Sequence, residues 1–298
     1  MNQTYVKKTF AGRIFDICNI VFMLFLAFIM IFPFWNQFIM SFNDGLDTMK
    51  GSLYFLPRKF TFSNYIYIFE NSNIAGGAVI SVMRVLIGTI SSLFCTGILA
   101  YITTVPFFTG RRIIRIIFMI TMYFSGGLVP TYLVYTQYGL TNNFLVYILP
   151  SLFNAYNMML IASYMNNLPH ALAESARLDG AREITIYAKI YLPICIPVFA
   201  AVAVFTAIGH WNSWFDVVVY NSSGTWDTLQ VYLRRILLEA EMISKLQGDQ
   251  RAMAAYRNLT PGSIRAATTM IVTIPIIIVY PFMQKYFISG MTIGAVKE

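Results

Sequence analysis

The sequence predicts an all-α, polytopic membrane protein with six transmembrane helices. Of its 298 residues, 57% are hydrophobic and only 11% are charged, whereas soluble proteins carry about 25% charged residues. The hydrophobic residues form long runs, and a helix needs about 20 of them to cross a hydrocarbon core. Lysine and arginine fall at the ends of these runs and form no basic stripe, so the net charge of +8 indicates orientation in a membrane rather than nucleic-acid binding.

The spans follow from these runs in chain order, within a single transmembrane domain of residues 1–298. Lys7, Lys8 and Arg13 precede the first run, which is too long for a signal peptide and has no small-x-small cleavage site, so we expect it to be retained. The six spans are placed at about 14–40, 75–104, 113–134, 144–165, 194–215 and 266–286.

Two segments between spans are long enough to carry structure of their own. Residues 43–73 are polar and aromatic-rich, which predicts an external loop with a short surface helix near residues 64–70. The segment between the fifth and sixth spans predicts an amphipathic helix on the outer surface or on a partner. Its apolar residues at helical spacing are Leu229, Leu233, Ile236, Leu237 and Ala240.

The distribution of positive charge predicts that both termini are cytoplasmic. An even number of spans puts the two termini on the same side, and short loops rich in lysine and arginine face the cytoplasm. The long segment after the fifth span is also basic, but long loops translocate largely regardless of charge. The residues counted for the cytoplasmic side are Lys7, Lys8, Arg13, Arg111, Arg112, Arg115, Arg177, Arg182, Lys189 and Lys285, and those in the long outer segment are Arg234, Arg235, Lys245, Arg251 and Arg257.

A few residues within the spans are unusual for a membrane. Arg84 must face protein or water or extend to the interface, because a charge at mid-membrane costs roughly 2.5–3.5 kcal/mol. We favour extension to the outer interface, and we expect Asp216 to be interfacial and structural. Gly126 and Gly127 predict a kinked third span that either packs tightly on another helix or contacts a ligand. The isolated cysteines, Cys18, Cys95 and Cys195, are expected to be small core residues.

Residues 168–193 form a charged island between the fourth and fifth spans. Strong helix formers fill 171–178, Asp179-Gly180 is a helix stop, and 182–191 can form a second short helix. A solvated turn at the membrane boundary is the alternative interpretation. A helix-turn-helix fixed at both ends to membrane helices could transmit a movement between the cytoplasm and the spans.

The island resembles the EAA loop of ABC importer permeases, in which EAA is followed by a Gly and then by I-x-L-P. The rest of the chain is similar to the carbohydrate-uptake, maltose-type branch, and its ending is similar to the LplC-like group. Ser175 stands where the family usually has Ala, and Glu298 where it often has Gly. The matching residues are Glu174, Ser175, Ala176, Asp179, Gly180, Ala181, Tyr187, Ile190, Leu192 and Pro193, then the stretch 126–132, Gly139-Leu140 with Asn142, Trp211-Asn212, and the ending with Gly290 and residues 294–297.

This resemblance implies a type I ABC importer permease of a bacterial plasma membrane. Glu174, Ser175, Ala176, Asp179, Gly180, Ala181, Ile190, Leu192 and Pro193 would couple the permease to an ATPase. The implied partners are a second homologous permease, two copies of a cytoplasmic ATPase subunit and an extracellular solute-binding lipoprotein. ATP and Mg²⁺ would be held by the ATPase subunits, and the cargo would be a carbohydrate, most simply an oligosaccharide.

Candidates for the cargo path come from aromatic and amide side chains near the ends of the spans. Aromatic faces stack on sugar rings and amides bind hydroxyls, while an aromatic belt at the membrane interface is the alternative. The candidates are Tyr123, Gly126, Gly127, Tyr156, Asn157, Trp211, Asn212 and Trp214.

The sequence carries no catalytic pattern of its own. It lacks the G-x-x-x-x-G-K-[ST] phosphate loop, so ATP hydrolysis is assigned to a partner, and no metal-ligand spacing is present. The rival interpretations are an ABC permease for a non-sugar solute and an ion-gradient-driven secondary transporter. The latter predicts inverted repeats or several acidic residues within the membrane, and neither is evident.

Overall fold

The structure is a computed structural model that describes residues 9–51, 53–70, 73–245 and 259–295. Within these residues the chain is helical, and its one strand-type pairing is an isolated bridge between Asn43 and Phe60. The all-α class is therefore confirmed. The orienting residues Lys7, Lys8, Arg251 and Arg257, and the terminal residues 296–298, lie outside the described residues.

Fourteen α-helices are described, together with three short helical turns of other types. The α-helices are α1 Phe10–Ser41, α2 Gly45–Thr48, α3 Ser63–Glu70, α4 Ile74–Thr104, α5 Arg111–Tyr123, α6 Leu128–Gln137, α7 Ala155–Asn166, α8 Ala171–Leu178, α9 Glu183–Ile186, α10 Leu192–Ile194, α11 Ile196–Asn212, α12 Phe215–Tyr220, α13 Leu229–Lys245 and α14 Pro261–Ala295. The turns of other types are the 3₁₀-helices Phe144–Tyr147 and Leu149–Ser151 and the π-helix Tyr187–Tyr191.

Three helices are long and apolar enough to cross a membrane alone: α1, α4 and the Pro261–Pro281 part of α14. Two bent pairs pass the same test together. Phe144–Ser151 and Ala155–Asn166 bend by 43°, and Glu183–Ile194 and Ile196–Asn212 bend by 80°. The described residues thus hold three candidate spans, or up to five if each bent pair is one span. The count of six stays a prediction.

The region predicted as the third span is divided between two shorter helices, α5 and α6. Residues 124–127 between them have no regular structure, and Gly127 has a φ of 81°, a conformation that glycine adopts readily. A Cβ at Gly127 would meet nothing within 4 Å, and one at Gly126 would meet only Pro130, at 4.0 Å. The predicted kink is therefore present as a break between two helices, and of the two alternatives for these glycines, tight packing against another helix is not found among the described residues.

The chain forms two compact units, Met1–Asn71 with Ile236–Thr273 and Ser72–Arg235 with Ile274–Glu298. In the first unit the expected surface helix is present as α3. The segment before it is organised by the Asn43 side chain, which donates to Asp47 at 3.2 Å and accepts from the Lys59 N–H at 2.9 Å. Arg58 adds an ion pair to Asp47 at 2.8 Å. These contacts fold the segment, which the sequence had predicted as a loop.

In the second unit α4 packs against α7 and α11. Small residues line this contact and let the helices approach closely. A Cβ at Gly88 would lie 2.4 Å from Nε2 of His210, and one at Gly97 would lie 2.6 Å from the Phe199 ring. Cys195 is buried in the same unit as expected, whereas Cys95 is half-buried, and Cys18 on α1 is exposed, so the expectation of a core residue is wrong for Cys18.

Arg84 of α4 is only 3% exposed and forms an ion pair with Asp216 at the start of α12. Its guanidinium also lies 4.6 Å from the centre of the Tyr147 ring. Asp216 also accepts a hydrogen bond from the Ser213 hydroxyl at 2.6 Å. The prediction that Arg84 extends to the interface is therefore wrong. The alternative, that it faces protein, is correct, because a carboxylate from a distant part of the chain neutralises it.

The predicted amphipathic helix is present as α13, but its first turns cover this chain. Leu229 and Leu233 are 3% and 2% exposed. The backbone N–H of Leu229 donates to the Ser81 hydroxyl of α4 at 2.9 Å. The expectation that this apolar face lies on the outer surface or on a partner is therefore wrong for these turns.

Candidate functional site

The island predicted at residues 168–193 folds as two short helices around a glycine turn. Helix α8 ends at Leu178, and Gly180 follows with a φ of 79°. The N–H of Gly180 donates to the Arg177 carbonyl at 3.0 Å, and the N–H of Ala181 donates to the Ala176 carbonyl at 2.9 Å. This pair of bonds is the Schellman motif, which satisfies the last carbonyls of a helix and favours glycine at the left-handed position.

An ion pair joins the two helices of the island. Arg177 of α8 donates to Glu183 of α9 through Nε at 2.8 Å and through Nη2 at 3.3 Å. The Tyr101 hydroxyl of α4 donates to the same carboxylate at 2.6 Å, and the Arg177 guanidinium lies 5.0 Å from the Phe107 ring centre. The Arg177 guanidinium lowers the pKa of the Glu183 carboxyl below its ordinary value, and the pKa of Arg177 is raised in turn. A bidentate ion pair of this type fixes the relative orientation of the two side chains as well as the distance between them.

Beneath the ion pair, a tyrosine cluster attaches the island to α4. The Tyr101 ring lies 5.2 Å from the Tyr187 ring and 5.1 Å from the Tyr191 ring, measured between centroids. Ala173 on the inner face of α8 is 2% exposed and belongs to the same core, and Ile190 packs against it. One face of α8 is thus fixed to the membrane helices.

The opposite face of α8 is open. Ser175 and Asp179 are exposed there and Leu178 at the end of the helix is 89% exposed, while Glu174 is exposed at the edge of this face, beside the cleft lined by Tyr101 and Ala173. An acidic side chain and an uncovered leucine therefore project from a helix whose other face is held in place. A partner protein could bind to this exposed face, and a movement of the partner would then displace α8 together with the residues that hold it.

The island joins α11 at a sharp bend. The helical stretch Glu183–Ile194 meets Ile196–Asn212 at 80°, with Cys195 between them. Leu192 and Pro193 of the motif precede this bend and are exposed. Prolines remove helix hydrogen bonds and are a common cause of such bends. A displacement of α8 and α9 would therefore act on the end of α11 at a large angle.

The other end of α11 carries part of the predicted cargo path. Trp214 stacks against Arg234 of α13, whose guanidinium carbon lies 3.6 Å from the ring centre. The Asn212 side chain accepts a hydrogen bond from Gln230 at 3.5 Å. The preceding residue, Trp211, is half-buried. No carboxylate pairs with Arg234 among the described residues. The arrangement places a guanidinium without a carboxylate partner beside a half-buried aromatic ring and an amide.

The other path candidates are not brought together with this cluster. Tyr123 and Tyr156 are 81% and 60% exposed, at the end of α5 and the start of α7. Asn157 is buried, and its side-chain amide donates to the Thr206 hydroxyl of α11 at 3.4 Å. Asn157 thus helps to pack α7 on α11.

Several contributors to these sites were missed from sequence. Tyr101, Phe107 and Arg234 lie far along the chain from the residues they contact, so no local pattern reveals them. Glu183 lies within the island itself, and its charge six residues after Arg177 was the available signal. No cluster of three or more potential metal ligands occurs among the described residues.

Comparison with known proteins gives one consistent result. Residues 73–293 match the family described as "Binding-protein-dependent transport system inner membrane component". The chain is 36% identical to Protein LplC of Bacillus subtilis over 98% of both chains. It is 34% identical to the polygalacturonan/rhamnogalacturonan transport system permease protein YtcP of the same organism, over 96% of this chain and 99% of that protein.

A solved structure agrees with the sequence relatives. It is a chain of a bacterial ABC transporter involved in the import of the acidic polysaccharide alginate. The TM-score is 0.80 with 28% identity, and the match covers 96% of this chain and 100% of that chain. The resemblance inferred from the island is confirmed, and the chain belongs to the family of binding-protein-dependent transport system inner membrane components.

Proposed function

We propose that this permease couples ATP hydrolysis by a cytoplasmic ATPase subunit to the import of an oligosaccharide, and that residues 168–193 receive the movement of that subunit. The observation that carries this proposal is the geometry of α8. Its inner face is fixed by Ala173 and by the ion pair of Arg177 with Glu183, while Glu174 and Leu178 are exposed. A helix held in this way transmits a displacement and does not simply absorb it.

The proposed assembly has this chain paired with a second, homologous permease and two copies of the ATPase subunit, which hold ATP and Mg²⁺. An extracellular binding lipoprotein delivers the cargo. The permease has six spans in the type I arrangement, with α5 and α6 together forming the third, and both termini are cytoplasmic in a bacterial plasma membrane. Membership of a binding-protein-dependent family supports this set of partners.

The energetics set a requirement on this coupling. To shift an inward-facing to an outward-facing state from 1:99 to 99:1, ligands must favour the second state by about 5.5 kcal/mol. ATP on the ATPase pair and cargo on the binding protein together supply this difference only if both bind the outward state more tightly. The 80° bend after α10 is where such a shift would reach the membrane helices.

For the cargo, we propose an oligosaccharide that includes acidic sugars. One relative is named for polygalacturonan and rhamnogalacturonan, and the solved transporter imports alginate. The Trp214 ring and the free edge of Arg234 fit a sugar ring that bears a carboxylate, because guanidinium binds carboxylate in a bidentate manner. Trp211 and Asn212 would contribute further stacking and hydrogen bonds along the same path.

The first test is to identify what copurifies with the tagged chain after gentle solubilisation from its native cell. We expect a second permease, an ATPase and a binding protein whose ligand is an acidic oligosaccharide. Reproducible purification of the chain alone, with ion-driven transport in vesicles without ATP, would replace this proposal with a secondary transporter. A binding protein specific for a non-sugar solute would overturn the cargo assignment alone.

The second test addresses Glu174. Glu174→Ala is expected to leave membrane insertion intact and to reduce ATP-driven uptake, because the exposed carboxylate is available to a basic group of the ATPase subunit. The matched control is Glu239→Ala, which removes one exposed carboxylate from α13. Normal uptake by the Glu174 variant would show that this residue has no part in coupling.

A further inference from the structure

A basic cavity of about 560 Å³ opens beside the island, where α4 ends and α5 begins. Three arginines of α5 contribute to its wall, and α7 and the residue before α8 complete it. The lining residues are Thr104, Pro106, Arg111, Arg112, Arg115, Asn166 and His170.

The arginines of this cavity form no ion pair within the described part of the chain. Among the described residues, no carboxylate forms an ion pair with Arg111, Arg112 or Arg115. Arg115 donates to the Thr103 carbonyl at 2.5 Å, and the first turn of α5 contains no acidic residue. Like charges this close repel one another, so an anion in the cavity would relieve the repulsion.

The donor types in the cavity suit a phosphate group. Guanidinium groups bind phosphate oxygens in pairs of parallel hydrogen bonds. The Asn166 amide and the Thr104 hydroxyl can donate to further oxygens. The set combines elements that are distant in sequence, which distinguishes a lined cavity from a run of basic residues that only orients the membrane protein.

The surface next to the cavity indicates the source of the phosphate. Beyond its arginines, α5 is apolar and open, and the residues that follow Arg112 at helical spacing, Ile116 and Met119, are exposed by 46% and 48%. A phospholipid would place its headgroup in the cavity and lay an acyl chain along these two side chains. Basic pockets between membrane helices bind anionic lipid headgroups in this way. A soluble phosphate would use only the polar part.

We propose that this cavity is a binding site for a phosphate group, and that an anionic phospholipid of the surrounding leaflet supplies it. His170 lines the cavity and directly precedes α8, so the bound headgroup contacts the start of the island. The site is independent of the cargo path and of the identity of the cargo.

The test compares lipid retention by arginine variants of the intact importer. The purified complex is placed in nanodiscs of phosphatidylcholine mixed with phosphatidylglycerol, then released, and the retained phosphatidylglycerol is counted by native mass spectrometry. Arg111→Gln and Arg112→Gln are chosen because both side chains are exposed and neither has a protein hydrogen bond to lose within the described residues. Each is expected to weaken retention about fivefold.

Arg13→Gln is the matched control, since it removes one exposed arginine from α1 that is not among the lining residues of the cavity. It is expected to retain phosphatidylglycerol like the unaltered chain. Equal retention by the cavity variants and the control would overturn the proposal.

A second arm separates the two sources of phosphate. Inorganic phosphate is titrated into the complex loaded with phosphatidylglycerol to measure displacement of the lipid, and into the delipidated complex to measure the binding of phosphate itself. Displacement that depends on Arg111 and Arg112 supports one shared site for the lipid. If inorganic phosphate binds in an Arg112-dependent manner while lipid retention is the same in all variants, the lipid source is overturned and a soluble anion takes its place.

Discussion

Asp216 neutralises Arg84 across the second unit, from a position 132 residues further along the chain. Both nitrogens at the end of the guanidinium reach the carboxylate, and the longer of the two contacts is 3.3 Å. The arginine is nearly fully buried, so the pair fixes the position of α12 relative to α4. Breaking a buried pair leaves an uncompensated charge, which is costly by about 3–5 kcal/mol.

We therefore predict that Arg84→Gln and Asp216→Asn each lower the melting temperature of the purified complex, and that the double variant is more stable than Arg84→Gln alone. The asparagine keeps an acceptor for the Ser213 hydroxyl, so only the charge is removed. Thermal unfolding in detergent measures all three variants. Additive losses in the double variant would show that the two charges do not stabilise one another.

Gly180 gives a second prediction, because its φ of 79° disfavours most residues with a Cβ, alanine and proline among them. Gly180→Ala costs roughly 1–2 kcal/mol in this conformation, which corresponds to a factor of about 5–30 in the population of the native turn. Gly180→Pro also loses the N–H that donates to the Arg177 carbonyl. We expect both variants to insert normally and to lose ATP-driven uptake, with proline the more severe.

The control for Gly180 is Gly139→Ala. Gly139 has a φ of 64° and, like Gly180, nothing within 4 Å of an added Cβ. Its local strain is therefore similar, but it lies outside the island. If Gly139→Ala reduces uptake as much as Gly180→Ala, the effect comes from general destabilisation and not from coupling.

Features that depend on residues close together in the chain could be predicted from sequence, whereas features that depend on distant residues could not. The helix stop at Asp179-Gly180 depends on a few consecutive residues, so the bounds of α8 were predicted correctly. The position of Arg84 depends on a partner far along the chain, and a single sequence cannot pair them. The break at Gly126-Gly127 was recognised as a weakness of the helix. Whether these glycines also pack against another helix could not be decided, because sequence does not reveal whether a neighbouring helix approaches a glycine.

The ion pair of Arg177 and Glu183 predicts a pH dependence for the island. The pKa of Glu183 is lower in the folded chain than in the unfolded chain. Its contribution to stability is therefore fully present above the unfolded pKa of about 4.3, and it is lost as the pH falls through the lower, folded pKa. Glu183→Gln should flatten this acid limb in melting temperatures measured across a pH series. An unchanged acid limb would exclude the pair as its source.

The stack of Trp214 on Arg234 predicts a distinction between acidic and neutral cargo. Arg234→Gln removes the charge but leaves the Trp214 ring, so uptake of a uronate-containing oligosaccharide should fall about fivefold, for the loss of an exposed ion pair with the cargo that contributes about 1 kcal/mol. Uptake of a neutral oligosaccharide offered through the same binding protein should change much less.

Trp214→Ala removes the stacking face itself and should reduce uptake of both. Lys50→Gln removes an exposed charge from the same predicted side of the membrane and should affect neither. Equal losses for both cargoes in Arg234→Gln would mean that the guanidinium supports the structure around Trp214 and does not contact a carboxylate on the cargo.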